Sequence, residues 1–353
     1  MLPIEASTVV VGAGLLGLAT ADHLLRRGEE RVLLLERAGS PNAGRPGAVW
    51  PILRQGSLDR DDAENRGRLL LASGDEYLDT YDLREGDGLR RIGSLRIPAE
   101  DAVPFEAERL TAEEVAARLP DLVEALDGAR FSPGDGTIDT LPLLSALYDR
   151  VRQQGARFLF DAELLTVREE GDRVHFTAGA RSGSAERLLL TAGDRSLPFL
   201  ETLGCRHPWR REAVHSFTVE REDRTGPVLW LPERRAVIFP LPDGVWEVAI
   251  AIDAPSSADL TVDWTLLEAL RRDEAERLPW LSAAPVRRAR VEARLGDDLG
   301  DPIVTSRGGK ILAAGAMGDH GIGLFPAISE TLVERALASG DEGGILEDFD
   351  ADE

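Results

Sequence analysis

Cysteine and lysine are almost missing from this 353-residue chain: Cys205 is its single thiol and Lys310 the single lysine among 41 basic residues. One thiol excludes an intramolecular disulfide, a CxxC redox pair and a cysteine-built zinc cage, and it suits a reducing compartment. The lysine deficit is made up by arginine along the whole chain and points to no particular chemistry. Positive charge is scarce overall, because 63 acidic residues leave a formal net charge of -22 and a pI near 4.7. A nucleic-acid backbone or an anionic membrane surface calls for a basic face, so a small molecule is the expected partner. Long apolar runs are also missing, none reaching the roughly 18 to 20 residues of a membrane span. The first residues, MLPIEASTVVVG, lack the basic segment of an export signal, and a cytoplasmic location is expected.

What the chain does have is concentrated first at its N-terminal end. Residues 7–11 form a short β-branched run, Gly12, Gly14 and Gly17 spell GxGxxG, 18–27 has helical character, and 31–35 reads as a second buried strand ending at Glu36. In such a βαβ unit the first glycine permits a tight turn, the second lets a pyrophosphate approach the backbone at a helix N-terminus, and the third lets helix and strand pack closely. Glu36 follows the last glycine by 19 residues and suits a ribose, while its charge disfavours the 2′-phosphate of NADP. A dinucleotide cofactor is expected, NAD and FAD remaining open on these residues alone.

Beyond this unit, 39–56 is too rich in Gly and Pro for a helix and reads as a long loop, 62–83 has helical spacing, and 113–119 is a short helix candidate. The turn-rich 131–138 leads into a helix over 141–154; strands follow over 156–160, 163–169, 173–177 and 187–191, the last ending in Ala192-Gly193. Between 212 and 253 four runs of alternating character, separated by turns, predict an antiparallel sheet. A helix over 264–277, a strand over 286–295 and a short strand over 311–314 complete the pattern, and 341–353 is acidic and expected to be disordered. The 286–295 strand places Arg288, Arg290, Glu292 and Arg294 on one face, which equally suits a solvated edge strand. At roughly 100 to 200 residues per domain, two domains are expected.

These motifs in this order, with Gly44-Arg45-x-x-x in the loop after the second strand, Asp135-Gly136-x-x-Asp139 before a helix and a late glycine-rich strand-to-helix turn, resemble the D-amino-acid oxidase superfamily of FAD-dependent oxidoreductases. Within it the likeness is to glycine oxidase and sarcosine oxidase-like enzymes. The resemblance implies FAD, held without a covalent bond, since neither cysteine nor histidine occurs over 39–56. It implies an α/β plus α+β fold: a Rossmann-like FAD-binding domain (1–85, 135–205 and 300–340) with an inserted antiparallel-sheet substrate domain (86–134 and 206–299). Cofactor contacts are expected from Gly12, Gly14, Gly17, Glu36, Arg37, Gly44, Arg45, Gly47, Ala48, Val167, Ala192, Gly193, Gly315, Met317, Gly321, Ile322, Gly323 and Leu324.

On the substrate side, Arg294 lies where the family has an arginine that pairs with a substrate carboxylate, a task suited to its fork geometry. Arg290 stays open as the alternative, because the usual TxDGxP is replaced by GDDLGDP over 296–302; Ile238 and Phe239 stand where a family tyrosine often assists. His215, His320 and Trp50 are further candidates, whereas His23, His175 and His207 read as structural or exposed. The implied reaction is oxidation of the C–N bond of a small amino acid or secondary amine by hydride transfer to flavin N5, with dioxygen as acceptor. An FAD-dependent 2-hydroxy-acid dehydrogenase and a flavin-binding protein without catalysis are the alternatives. The late helix is expected to start near Pro326 and point its positive end at the flavin, with the glycines letting the backbone pass close to the ring. Met317 and Asp319 replace the usual His and Gly there. Asp319 would oppose flavin reduction if it faced the ring, or lie idle in solvent.

Overall fold

The computed structural model describes residues 3–41, 51–53, 89–97, 107–118, 129–205, 207, 209–221, 226–241, 244–255, 260–296 and 302–338. Gly44, Arg45, Gly47, Ala48 and Trp50, the helix expected over 62–83 and the acidic stretch 341–353 lie outside the described residues. The architecture mixes α and β, with one sheet parallel at its centre and a second mainly antiparallel.

In the first sheet, Ile4–Val11 pairs in parallel with Val32–Leu35 on one side and Arg181–Leu190 on the other. Arg157–Leu159 adds a parallel strand beyond Val32–Leu35, and Ile311–Ala314 pairs in parallel with Leu188 to Leu190. Successive side chains point to opposite faces. Val10, Leu34, Leu189 and Leu312 pack with Leu18, Leu24, Leu147 and Leu332 of three covering helices, while Val9, Leu35, Leu188 and Leu190 meet Val174, Phe176 and Leu197. Burial on both faces explains why these strands read as unbroken apolar runs. The return strand is longer than its apolar run suggests: residues 181–185, RSGSA, have little strand propensity, yet pair antiparallel with Arg173–Ala178 and in parallel with Ile4–Val11. Cross-strand pairing overrides local composition there.

The first helix, Leu15–Arg26, starts three residues before the expected position because Gly17 lies inside it. A Cβ on Gly17 would stand 1.8 Å from the Gly12 carbonyl oxygen, so the helix and the glycine turn touch backbone to backbone. Thr140–Gln153 begins at Asp139, whose carboxylate accepts the Leu141 N–H at 3.0 Å. The stretch expected to be only a turn contains two short strands, Ala129–Ser132 and Gly136–Ile138; the turn itself is confined to the residues between them, with Ser94 donating to the buried Asp135 carboxylate at 2.6 Å.

The second sheet runs Val286–Gly296, Arg210–Val219, Trp246–Asp253, Ala236–Pro240, Val228–Leu231, Ser94–Arg96, Ala129–Ser132 and Glu108–Leu110. Its pairings are antiparallel except between Val228–Leu231 and Ser94–Arg96. Helices Trp264–Asp273 and Pro279–Ala283 cover one face through Leu267, Leu270 and Leu281 against Phe217, Trp246 and Val248. The first of them stops four residues short of its predicted end, where the chain turns to place Leu278 in the same core.

The late helix departs most from expectation. It spans Gly321–Ala338 with Pro326 in its interior, and a short 3-10 turn, Gly318–His320, precedes it. Proline favours the first helical position, but Ala316 and Gly318 take left-handed φ values of +54° and +47° and redirect the chain early enough for the helix to begin five residues sooner.

Candidate active site

The glycine turn, the end of the second strand and the late turn converge on one cleft of about 230 Å³. Gly12, with φ at +102°, turns the chain back beside Thr191; a Cβ there would lie 2.8 Å from the Thr191 carbonyl oxygen. Thr191 closes the turn from the other side, its hydroxyl donating to the Val11 carbonyl at 2.8 Å. Gly14 is the residue from which the first helix departs, and among the described residues a Cβ added to it would meet no atom within 4 Å. The glycine is thus not required by packing, and the open space above it, at a helix N-terminus, suits an anionic group. Glu36 is aimed at the same turn: its Oε2 accepts the Ala13 N–H and its Oε1 the Ala38 N–H, each at 2.9 Å. Each carboxylate oxygen keeps further acceptor capacity for a hydroxyl.

Glu36, Arg37 and Ala192 also line a second opening of about 200 Å³, together with Ala162, Leu164 and Phe199. The two openings share a border and continue one another. At the far end, the first cleft is walled by Gly193, Gly315, Met317, Gly321 and Arg294. Two adjoining openings that share a glycine turn with an acid beside it suit a dinucleotide such as FAD.

Several expected contacts lie elsewhere. Gly17 is a packing glycine. Val167 belongs to the hydrophobic core and to a separate groove on the outer meander, and lines neither opening. Ile322 and Leu324 are buried in the first core, Gly323 is buried alongside them, and none of the three lines either opening, whereas Gly321 and Phe325 do wall the first. Gly315 lines the cleft, but a Cβ on it would strike Leu295 at 2.6 Å, so its smallness serves contact with the second sheet. His320 is buried beside the late turn without lining either opening.

His215 is corrected by strand parity. Arg294 pairs directly with Glu212 across the sheet, and His215, three residues on, points to the opposite, helix-covered face. There its Nδ1 accepts the backbone N–H of Asp263 at 3.1 Å. Burial lowers its pKa, outweighing the raising influence of Asp263.

Arg294 does wall the cleft, whereas Arg290 does not and instead pairs with the buried carboxylate of Glu247. The Arg294 guanidinium is already engaged by carboxylates of the chain. Nε donates to Glu212 Oε2 at 2.7 Å, and Nη2 lies 2.7 Å from Asp319 Oδ1. Burial opposes the charge on Arg294, but Asp319 and Glu212 outweigh it and raise the pKa further. Asp319 is therefore not an idle solvent residue: it is an ion-pair partner of Arg294. Composition offered no sign of Glu212, which contacts Arg294 only because strands 82 residues apart pair in this register. Asp194, on the cleft wall, is likewise joined to Arg211 at 3.2 Å.

Comparison with known proteins agrees with this geometry. The uncharacterized oxidoreductase YurR of Bacillus subtilis (strain 168) is 24% identical over 262 residues, covering 66% of this chain and 68% of YurR. Glycine oxidase from Geobacillus kaustophilus superposes with a TM-score of 0.79 at 18% identity, covering 97% of each chain. L-Proline dehydrogenase from P. horikoshii gives 0.79 at 19% identity over 94% of this chain and 93% of its own. These likenesses establish the fold, and the match over residues 7–335 to the DAO model, described as FAD dependent oxidoreductase, establishes the family: the chain belongs to the FAD-dependent oxidoreductases of the DAO family.

Proposed function

We propose that this flavoenzyme oxidises the C–N bond of a small amine or amino acid, with dioxygen as acceptor. The observation that carries the reading is the continuous cleft, which joins a dinucleotide-shaped half at Glu36 and Gly14 to a small space walled by the second sheet at Arg294. In this reading residues 1–85, 135–205 and 300–340 form the FAD-binding domain, and 86–134 with 206–299 the substrate domain.

When bound, FAD supplies a two-electron acceptor at N5, which dioxygen restores with release of hydrogen peroxide. The chain's own part is to bind and orient. The N–H groups of the first helix turn would hold the pyrophosphate, Glu36 would accept from a ribose hydroxyl, and the start of the late helix at Gly321 would offer its positive end to the flavin. With FAD bound as the hydride acceptor, the substrate would give up its α-hydrogen with the bonding pair while its nitrogen lone pair forms C=N, and the nitrogen proton would pass to water. Hydrolysis of the imine completes the reaction. Since the cofactor carries the redox step, proximity and electrostatics are the protein's contribution.

The test is anaerobic mixing of the FAD-loaded protein with panels of primary amines, N-methyl amines, amino acids and 2-hydroxy acids. Bleaching of the flavin band by an amine or amino acid is expected. Bleaching by hydroxy acids alone, or by none of the panel, would reject the reading.

A further inference from the structure

Arg294 stands within a run of five alternating charges. Asp319 meets Arg294 at 2.7 Å, Arg294 meets Glu212 at 2.7 Å, Glu212 meets Arg235 at 2.5 Å, and Arg235 meets Asp253 at 2.8 Å. Three carboxylates and two guanidinium groups alternate along the run, and Arg210 acts on Asp253 at its outer end. The Arg294 side chain is 9% exposed and that of Glu212 11%, so the inner pair is poorly screened by water; Asp319, at 30%, is the more exposed of the two carboxylates on Arg294, which itself walls the cleft.

A substrate carboxylate docking at Arg294 would meet a guanidinium already paired with two carboxylates. It would have to displace Asp319 from a close ion pair and would still face Glu212, an arrangement that like-charge repulsion disfavours. An ammonium or neutral amine meets no such obstacle. The position of Asp319 is also built rather than incidental. It sits at the centre of the three-residue turn Gly318–His320, with left-handed Ala316 and Gly318 steering the chain toward the second sheet.

We propose that Asp319 is an internal occupant of the carboxylate position at Arg294, and that it selects amines bearing no free carboxylate on the carbon to be oxidised. Asp319 is thus a specificity residue, set by charge. The inference builds on the amine-oxidising reading and narrows its substrate class to simple or secondary amines and to amino acids whose carboxyl is masked as an amide.

Two measurements on the FAD-loaded protein test it. Calorimetric titration with benzoate, and with benzamide as its uncharged counterpart, reads the site without turnover. Benzoate is expected to bind Asp319→Asn at least tenfold more tightly than wild type, benzamide to bind both alike within about threefold, and Asp319→Glu, which keeps the charge, to resemble wild type. Asp319→Ser provides a second neutral variant should the Asn form be unstable. In the second measurement, prolinamide and glycinamide should reduce wild-type flavin at least tenfold faster than proline and glycine, with the preference narrowing in Asp319→Asn. Equal benzoate affinity in the wild type and neutral variants, or amino acids outperforming their amides on wild type, would overturn the proposal. If no compound reduces the flavin, the amine-oxidising reading fails, while the benzoate titration still decides the role of Asp319.

Discussion

Alanine at Gly14 and alanine at Gly17, only three residues apart, should damage the protein in opposite ways. At Gly17 the new Cβ would lie 1.8 Å from the Gly12 oxygen and 2.8 Å from Thr191 Oγ1, below the 3.0 Å that real Cβ contacts respect. Helix and turn must separate by about 1.2 Å or more, and overpacking of this kind costs about 1 to 3 kcal/mol. The FAD-free protein should lose several degrees in Tm and bind FAD poorly because the turn itself has shifted. At Gly14 the Cβ meets no atom of the described residues within 4 Å, and the residue's extended φ and ψ of -81° and -176° are open to alanine. FAD-free stability should stay within about 1 kcal/mol, the usual scale of an N-cap change. The methyl would occupy the space left for the pyrophosphate, however, and a similar overpacking of about 1 to 3 kcal/mol would weaken FAD binding by roughly 5- to 150-fold. Thermal melts of the FAD-free proteins and FAD titration by flavin fluorescence separate the two effects. A Gly14→Ala protein that binds FAD like wild type would refute the cradle, and a Gly17→Ala protein that melts like wild type would refute the packing argument.

Glu36→Ala removes the acceptor of the Ala13 and Ala38 N–H groups together with the proposed ribose partner. A loss of about 1 to 3 kcal/mol in FAD affinity is expected, and a purified variant with full flavin content would contradict it. His215 is held below its ordinary pKa by burial, so the unfolded chain takes up a proton more readily than the folded one. Its contribution to stability should be complete above about pH 6.5 and decline as the pH falls below that value toward the folded pKa. Denaturant melts of His215→Gln should show a shallower decline, with His23, also lowered by burial, accounting for part of the remainder; an unchanged slope would exclude His215 as a source. Asp139→Ala removes the cap on Thr140–Gln153 and should cost about 1 kcal/mol, read as a small drop in Tm with FAD affinity preserved.

The dinucleotide half was legible because its information is local. Gly12, Gly14, Gly17 and Glu36 sit within one short unit, and a single stereochemical solution places them together. The covering of both faces of the first sheet could also be read from its strands. The substrate half was opaque for the converse reason. The neighbours of Arg294 come from a strand 82 residues earlier and from a turn belonging to the other sheet, so its environment depends on a strand register that composition does not encode. His215 and Glu212 lie on one strand, and which of them faces the cleft is a matter of parity that becomes readable only once Glu212 is known to oppose Arg294. Pro326 misled for a simpler reason: its preference for a helix start is weaker than the geometry imposed by the left-handed residues before it.

The overall charge of -22 sits uneasily with a cofactor that is itself a diphosphate, and the local architecture resolves the conflict. A long polyanion must be met by many basic side chains, because its charges extend beyond any one contact. A single pyrophosphate is small enough to be met by the ends of helices. One helix departs from Gly14 at this cleft, and its N-terminus carries the equivalent of about half a positive charge. Arg37 and Arg195 stand on the cleft wall as well. Positive potential is therefore supplied where the phosphates are expected, while Arg294, farther along, is neutralised by Glu212 and Asp319. Under the specificity proposed for Asp319, the same chain attracts an anionic cofactor at its glycine turn and disfavours an anionic substrate at Arg294.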